Sequence, residues 1–152
     1  MLEVREATVV FNGGTVNEKT ALDHVSLTLE AGDFATVIGS NGAGKSTLLG
    51  AIAGSLPLSA GQIVLDGQEM TRMKEHRRSH AIGRLFQDPL KGTAPTMTIE
   101  ENLGLAYSRG KRRSLQLGVS RKDERFFYDL LKSLNLGLEE RMKTPAGHLS
   151  GG

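Results

Sequence analysis

One nine-residue stretch constrains this chain more than any other part of it. Residues 39–47 read Gly-Ser-Asn-Gly-Ala-Gly-Lys-Ser-Thr, which fits the pattern G-x-x-x-x-G-K-[ST]. The apolar and β-branched run 34–38 before it predicts a buried strand, and apolar residues at helical spacing predict a helix over 46–53 that Gly54 ends. A glycine-rich turn that leaves a strand and opens a helix favours a phosphate-binding loop.

The residue types in this loop explain why it would bind a polyphosphate. Glycines lack a Cβ, so the backbone can adopt positive φ and turn successive N–H groups toward an anion, and the helix start adds more N–H groups. Lys45 can reach the β- and γ-phosphates, Ser46 can coordinate Mg²⁺, and Thr47 is a further donor to the α-phosphate. The residues predicted to bind the nucleotide are Gly39, Ser40, Asn41, Gly42, Ala43, Gly44, Lys45, Ser46 and Thr47.

Composition limits the other classes of function. A chain of 152 residues can form a globular core, and 19 basic against 17 acidic residues give a net charge of only +2. This balance indicates an ordinary solvated surface, so we expect no nucleic-acid partner. Without cysteine the chain has no disulfide or thiolate metal site, as suits a reducing cytoplasm. No apolar run is long enough to span a bilayer, so any connection to a membrane is expected to run through a partner.

The remaining pattern predicts strands first and helices later. Apolar alternation predicts strands over 2–11 and 25–29, the second forming a hairpin with 34–38, and shorter apolar runs predict strands over 62–65 and 82–86. Residues 71–80 are helix-compatible. Thr98 with Glu101 forms a capping box for a helix to about residue 108, and Ser120 caps a helix over 121–134. The apolar stripe of that helix, Phe126, Phe127, Leu130, Leu131 and Leu134, predicts core packing.

Three further features lie in order around the phosphate loop. Phe11 precedes it, Gln87 ends an apolar run after it, and Leu149-Ser150-Gly151-Gly152 follows the helical segment. With the loop, they make the chain similar to the nucleotide-binding subunit of ABC transporters. The resemblance implies an α/β P-loop NTPase fold, a RecA-like core with an antiparallel β-subdomain plus a partial α-helical subdomain. It assigns residues 1–90 to the β-subdomain and P-loop core and residues 91–152 to the helical subdomain.

The resemblance also implies roles for these positions. Phe11 looks like the aromatic residue that stacks on adenine. Gln87 resembles the glutamine that contacts Mg²⁺ and the attacking water, so Lys45 and Gln87 are the expected catalytic residues and Ser46 and Gln87 the expected metal ligands. Ser150, Gly151 and Gly152 resemble the start of the family signature, which binds the γ-phosphate of the ATP held by the other subunit.

The residues that follow the signature in the family are not in this sequence. They include an aspartate that ends an apolar strand, an adjacent catalytic glutamate and a switch histidine. We therefore expect this stretch to be inactive alone and the complete protein to be an ATPase that uses ATP and Mg²⁺. The expected partners are a transmembrane permease and a second nucleotide-binding subunit, in a homodimer or a mixed pair. The expected role is to drive solute import through the permease, with this subunit on the cytoplasmic face of the membrane.

Two other functions remain open at this point. A soluble ABC-type ATPase that acts on nucleic acid or the ribosome would carry the same motifs, and a P-loop kinase would share only the loop. Two weaker patterns favour a solvated surface. His76 and His80 have metal-compatible helical spacing, but basic neighbours would repel a cation. The basic run 109–113 has no interleaved aromatic residue that would favour nucleic-acid binding.

Overall fold

Four antiparallel strands form the sheet of the first part of the chain. They are β1 (Leu2–Phe11), β2 (Lys19–Leu29), β3 (Ala60–Leu65) and β4 (Gln68–Glu69), and their order across the sheet is β2-β1-β3-β4. Asp66 and Gly67 join β3 to β4, both with positive φ, as a tight Asp-Gly hairpin turn requires. The predicted first strand, the strand at 62–65 and this turn are confirmed.

Helix α1 (Lys45–Ala53) follows the phosphate loop and packs on this sheet, and the short helix α2 (Glu75–Arg78) follows β4. Leu48 and Ala51 of α1 pack in the same core as the inward-facing residues of the strands, which fixes the helix relative to the sheet. The buried members of this core are Val4, Ala7, Val9, Leu22, Leu48, Ala51, Ile63 and Met70.

The structure is a computed structural model that describes residues 1–109 and 118–149. The chain divides into two compact units, residues 1–84 and residues 85–152. The second unit contains helices α3 (Ile99–Tyr107) and α4 (Arg121–Ser133) and three 3-10 turns, Pro89–Lys91, Leu138–Arg141 and Ala146–His148. Its core consists of Ile99, Phe127, Leu131 and Met142. Assignment of 1–90 and 91–152 to named subdomains stays a prediction. No helix in the described part of the chain is long and apolar enough to cross a membrane.

Two predicted strands are wrong. Residues 34–38 and 82–86 are irregular, and the side chains of Phe34, Ile38 and Leu85 are more than nine-tenths exposed. A strand needs a neighbour to receive its backbone hydrogen bonds, and within the described residues neither run pairs with another segment. Apolar content therefore identified segments with strand propensity but not the partner on which a strand depends.

Three other predictions need smaller corrections. The predicted hairpin of 25–29 with 34–38 is wrong, because β2 begins at Lys19 and pairs with β1. Only Glu75–Arg78 is helical within 71–80. The stripe on α4 is only half buried: Phe127 and Leu131 are in the core, whereas Phe126, Leu130 and Leu134 are each about half exposed. One side of α4 alone therefore faces α3 and the turn at Leu138–Arg141.

Candidate nucleotide-binding site

The phosphate loop takes a backbone conformation that requires glycine at two positions. Gly42 and Gly44 have φ of 86° and 84°, in the left-handed region that side chains disfavour. At Gly44 there is also no room, because a Cβ would lie 2.5 Å from the carbonyl oxygen of Ala21 and 3.1 Å from a Leu22 methyl group. Strand β2 therefore lies directly behind the loop at Gly44.

Helix α1 begins at this glycine without a side-chain cap. Gly44 is the N-cap residue, no side chain bonds the first turn, and that turn contains no acidic residue. The first N–H groups of an α-helix have no partner within the helix, and the helix dipole adds positive potential at the same end. The start of α1 is thus suited to an anion.

The ammonium group of Lys45 is held by the loop itself. It donates to the carbonyl oxygens of Gly39 at 2.6 Å and Ser40 at 2.7 Å. An ammonium group has three donors, so it can bind these carbonyls and a phosphate oxygen from one position. Lys45 and Thr47 are half-buried, whereas Ser46 is exposed in the first turn of α1. The loop therefore places a cation and a hydroxyl group at the open helix end.

The donor set of this loop fits Mg²⁺ bound with a nucleotide. The described residues contain no cluster of three acidic, histidine or cysteine side chains that could hold a metal alone. Mg²⁺ in nucleotide sites is usually held by one or two protein oxygens together with phosphate oxygens and water. Ser46 can supply the protein oxygen of such a set, so the ion would arrive with the nucleotide.

A buried arginine holds the opposite end of α1. Arg78 is 2% exposed, and its guanidinium group donates to the carbonyl oxygens of Ala51 and Ile52 in the last turn, at 2.8 and 2.9 Å. The same group donates to the carbonyls of Thr71 and Met73. Burial lowers the pKa of Arg78, but an arginine pKa is ordinarily so high that the group remains charged near neutral pH. A positive charge at a helix C-terminus also complements the dipole.

The other predicted site residues are placed as follows. Phe11 ends β1 opposite Lys19, and its side chain is 37% exposed. Gln87 is exposed in a bend of the second unit, before a turn in which the Asp88 carboxylate accepts from the backbone N–H of Leu90 at 3.0 Å. Ser150, Gly151 and Gly152 lie outside the described residues. Adenine stacking by Phe11, metal contact by Gln87 and the signature role therefore stay predictions.

Comparison with known proteins decides the family. The family model described as "ABC transporter" matches residues 22–152, which is most of the chain. This chain belongs to the ABC transporter family. The predicted resemblance is confirmed, and with it the P-loop NTPase fold.

Individual ABC relatives agree with this assignment. The "Tyrosine transport ATP-binding protein" of Clostridioides difficile is 38% identical over all 152 residues, which cover 60% of that relative. The "Spermidine/putrescine import ATP-binding protein PotA" of Bacteroides fragilis is 49% identical over 104 residues, covering 67% of this chain and 22% of that protein. The chain thus spans about three fifths, or less, of the length of these relatives.

Solved ABC structures share the fold. The ADP conformation of MJ1267, an ATP-binding cassette of an ABC transporter, superposes with a TM-score of 0.75 at 27% identity, covering 99% of this chain and 59% of that one. MJ0796, a cassette solved as a dimer bound to ADP and Pi, gives a TM-score of 0.80 at 23% identity and covers 99% and 64%. At that identity MJ0796 supports the fold alone.

Sequence patterns gave no indication of two residues that shape the site. Ala21, whose carbonyl oxygen lies behind Gly44, is an ordinary strand residue, and its proximity depends on pairing between distant segments. Arg78 lies in a polar run that resembles a solvated helix surface, because a buried cation that bonds only backbone carbonyls has no partner visible in the sequence.

Proposed function

We propose that this chain is the ATP-binding part of an ABC transporter, in which ATP binding and hydrolysis drive a solute through a separate membrane permease. Family membership supports ATP as the ligand. The names of two relatives, for tyrosine transport and for spermidine or putrescine import, support import of a small solute. Mg²⁺ accompanies ATP and neutralises phosphate charge.

The observation that carries this proposal is the start of α1. Three features lie together around the nine residues 39–47. Gly44 has a left-handed backbone and contacts β2, the first turn of α1 has no side-chain cap, and Lys45 supplies an ammonium group. An ordinary glycine-rich turn needs none of these features. A polyphosphate would use all of them, since it accepts hydrogen bonds from both backbone N–H groups and a cation.

The proposed roles follow the chemistry of each group. The loop amides and Lys45 bind the β- and γ-phosphates and orient them, Ser46 supplies an oxygen to the metal, and Phe11 stacks on adenine. Gln87 contacts the metal and the attacking water. Ser150, Gly151 and Gly152 bind the γ-phosphate of ATP held by the partner subunit, so two copies or a mixed pair enclose the nucleotide. The permease keeps this assembly at the cytoplasmic face of the membrane.

Replacing Lys45 tests the proposal in the full-length protein. Lys45→Ala removes a charge-assisted hydrogen bond to phosphate, so we expect the Kd for Mg-ATP, measured by isothermal titration calorimetry, to rise about 10- to 100-fold. Lys122→Ala, which removes an exposed lysine of α4, is the matched control and should leave the Kd unchanged. Equal Kd values for the two variants and the wild type would overturn the proposal.

A further inference from the structure

One side chain in the second unit organises the segment that follows Gln87. The amide of Asn102, on α3, accepts from the backbone N–H of Ala94 at 2.8 Å and donates to the Ala94 carbonyl at 3.0 Å. It also donates to the carbonyls of Met97 at 3.2 Å and Thr98 at 2.9 Å. A single half-buried amide group therefore binds the backbone of residues 94, 97 and 98.

These contacts require asparagine. The amide uses its oxygen as an acceptor and its NH₂ group as a donor to three carbonyls, so both ends are engaged. Aspartate has nearly the same shape but would bring a carboxylate against these carbonyls and lose the donors. Alanine would remove both functions. Asn102 thus binds the carbonyls of residues 94 and 97, whereas the capping box joins only Thr98 and Glu101 at the start of α3.

The segment 94–98 and the start of α3 together hold a second segment, residues 142–147. Four backbone hydrogen bonds of 2.9 to 3.1 Å join the two: Ile99 to Thr144, Glu100 to Met142, Ala146 to Met97, and Gly147 to Pro95, the first residue of each pair donating. The Met97 carbonyl accepts from both Asn102 and Ala146, so Asn102 acts directly on one member of this ladder.

The two segments approach closely at Gly147, where a side chain would crowd the facing residue. A Cβ on Gly147 would lie 3.0 Å from the Pro95 carbonyl oxygen and 3.1 Å from the Pro95 Cβ. Two residues later, Leu149 packs against the core of the second unit and leads into Ser150. The position at which the chain enters the predicted signature is therefore set by its contact with 94–98.

We propose that Asn102 is a positioning residue that ties the segment after Gln87 to the segment before the signature. By holding 94–98 it holds 142–147, the segment that leads toward the residues proposed to bind the ATP of the partner. This inference rests on the proposed function, because it assigns Asn102 a part in the two-subunit site. Asn102 itself contacts neither nucleotide nor metal in this scheme.

Asn102→Asp in the full-length protein tests the proposal through two measurements. Its Kd for Mg-ATP should match that of the wild type within about twofold, because the loop at Lys45 is unchanged. Its ATP turnover at saturating ATP, and its ATP-dependent dimerisation measured by light scattering, should fall about 10- to 100-fold, as expected when groups are displaced from a composite site.

Glu101→Ala is the matched control. It removes the capping box from the same helix start without touching the carbonyls of residues 94 and 97, so turnover should change less than about twofold. Gly147→Ala perturbs the same ladder from the other segment and should reproduce the Asn102→Asp result, which decides the matter if Asn102→Asp does not fold.

Two outcomes overturn the inference. One is equal turnover in Asn102→Asp, Gly147→Ala and Glu101→Ala, and the other is a rise in Kd for Mg-ATP as large as the fall in turnover. Either can occur while Lys45→Ala still loses nucleotide, in which case only the role of Asn102 fails. If Lys45→Ala binds as well as the wild type, the proposed function itself fails.

Discussion

The three longer helices of the described residues begin in two different ways. Helices α3 and α4 start at Thr98 and Ser120, whose backbones are extended and whose side chains form capping boxes with Glu101 and Asp123. Helix α1 starts at Gly44, with φ of 84°, no side-chain cap and no acidic residue in its first turn. Helices α3 and α4 thus satisfy N–H groups of their first turn with their own side chains, whereas α1 does not, so its N–H groups are available to the phosphate that we propose there.

An uncapped helix start has to be held in place by other contacts. Leu48 and Ala51 pack α1 into the core of the first unit, and Arg78 binds the carbonyls of its last turn. Helix α1 is therefore fixed along its length and at its C-terminus, while its first turn has no side-chain cap. The contacts that stabilise α1 thus lie away from the end that we propose to bind phosphate.

The largest effect is expected at that fixed end. Arg78→Met keeps a long side chain but leaves the partly buried carbonyls of Thr71 and Met73 without this donor, so the free energy of unfolding of the first unit should fall by about 2–4 kcal/mol. Arg77→Met, at the exposed neighbouring position, should stay within about 0.5 kcal/mol. Hydrogen exchange at core amides of residues 1–84 measures both, and equal protection in the two variants would show that α1 is not held by Arg78.

The next effect tests the start of α1 directly. Serine is normally a better N-cap than glycine, yet Gly44→Ser should destabilise the protein by about 2 kcal/mol or more, because it combines left-handed strain with a clash against Ala21. Gly42→Ser shares the strain, with φ of 86°, but its Cβ would meet nothing within 4 Å, so its cost should be about 1 kcal/mol. Thermal denaturation measures both. A Gly44→Ser variant that is more stable than the wild type would remove the distinction between α1 and the other helices.

The smallest expected effect is a loss of stability at the start of α3 at acidic pH. Backbone and side-chain hydrogen bonds from Thr98 lower the pKa of Glu101 below its ordinary 4.5, so this carboxylate adds stability that is fully present above pH 4.5. That stability is lost as the pH falls through the lowered pKa. Relative to the intrinsic exchange rate at each pH, hydrogen exchange at the start of α3 should therefore accelerate below about pH 4.5 in the wild type, and much less in Glu101→Gln, while the start of α1 shows no such step. The same acceleration in both proteins would assign the step to another group.

Local signals account for most of what could be predicted. Glycine spacing, the lysine after Gly44 and the Thr98 and Ser120 caps act over three to nine residues, and each of these elements is present. The failures involve distant partners. The pairing of β2 with β1, the burial of Arg78 and the amide of Asn102 depend on segments that the tertiary structure brings together, and periodicity carries no information about them.

The exposed run Phe34–Ile38 has a practical consequence. Its five residues are uncharged and exposed, contain no proline and include the strand-favouring residues Phe34, Thr36, Val37 and Ile38. Such a segment readily adds to a matching segment on another copy through main-chain hydrogen bonds. Solubility should therefore limit the concentration at which these 152 residues can be handled.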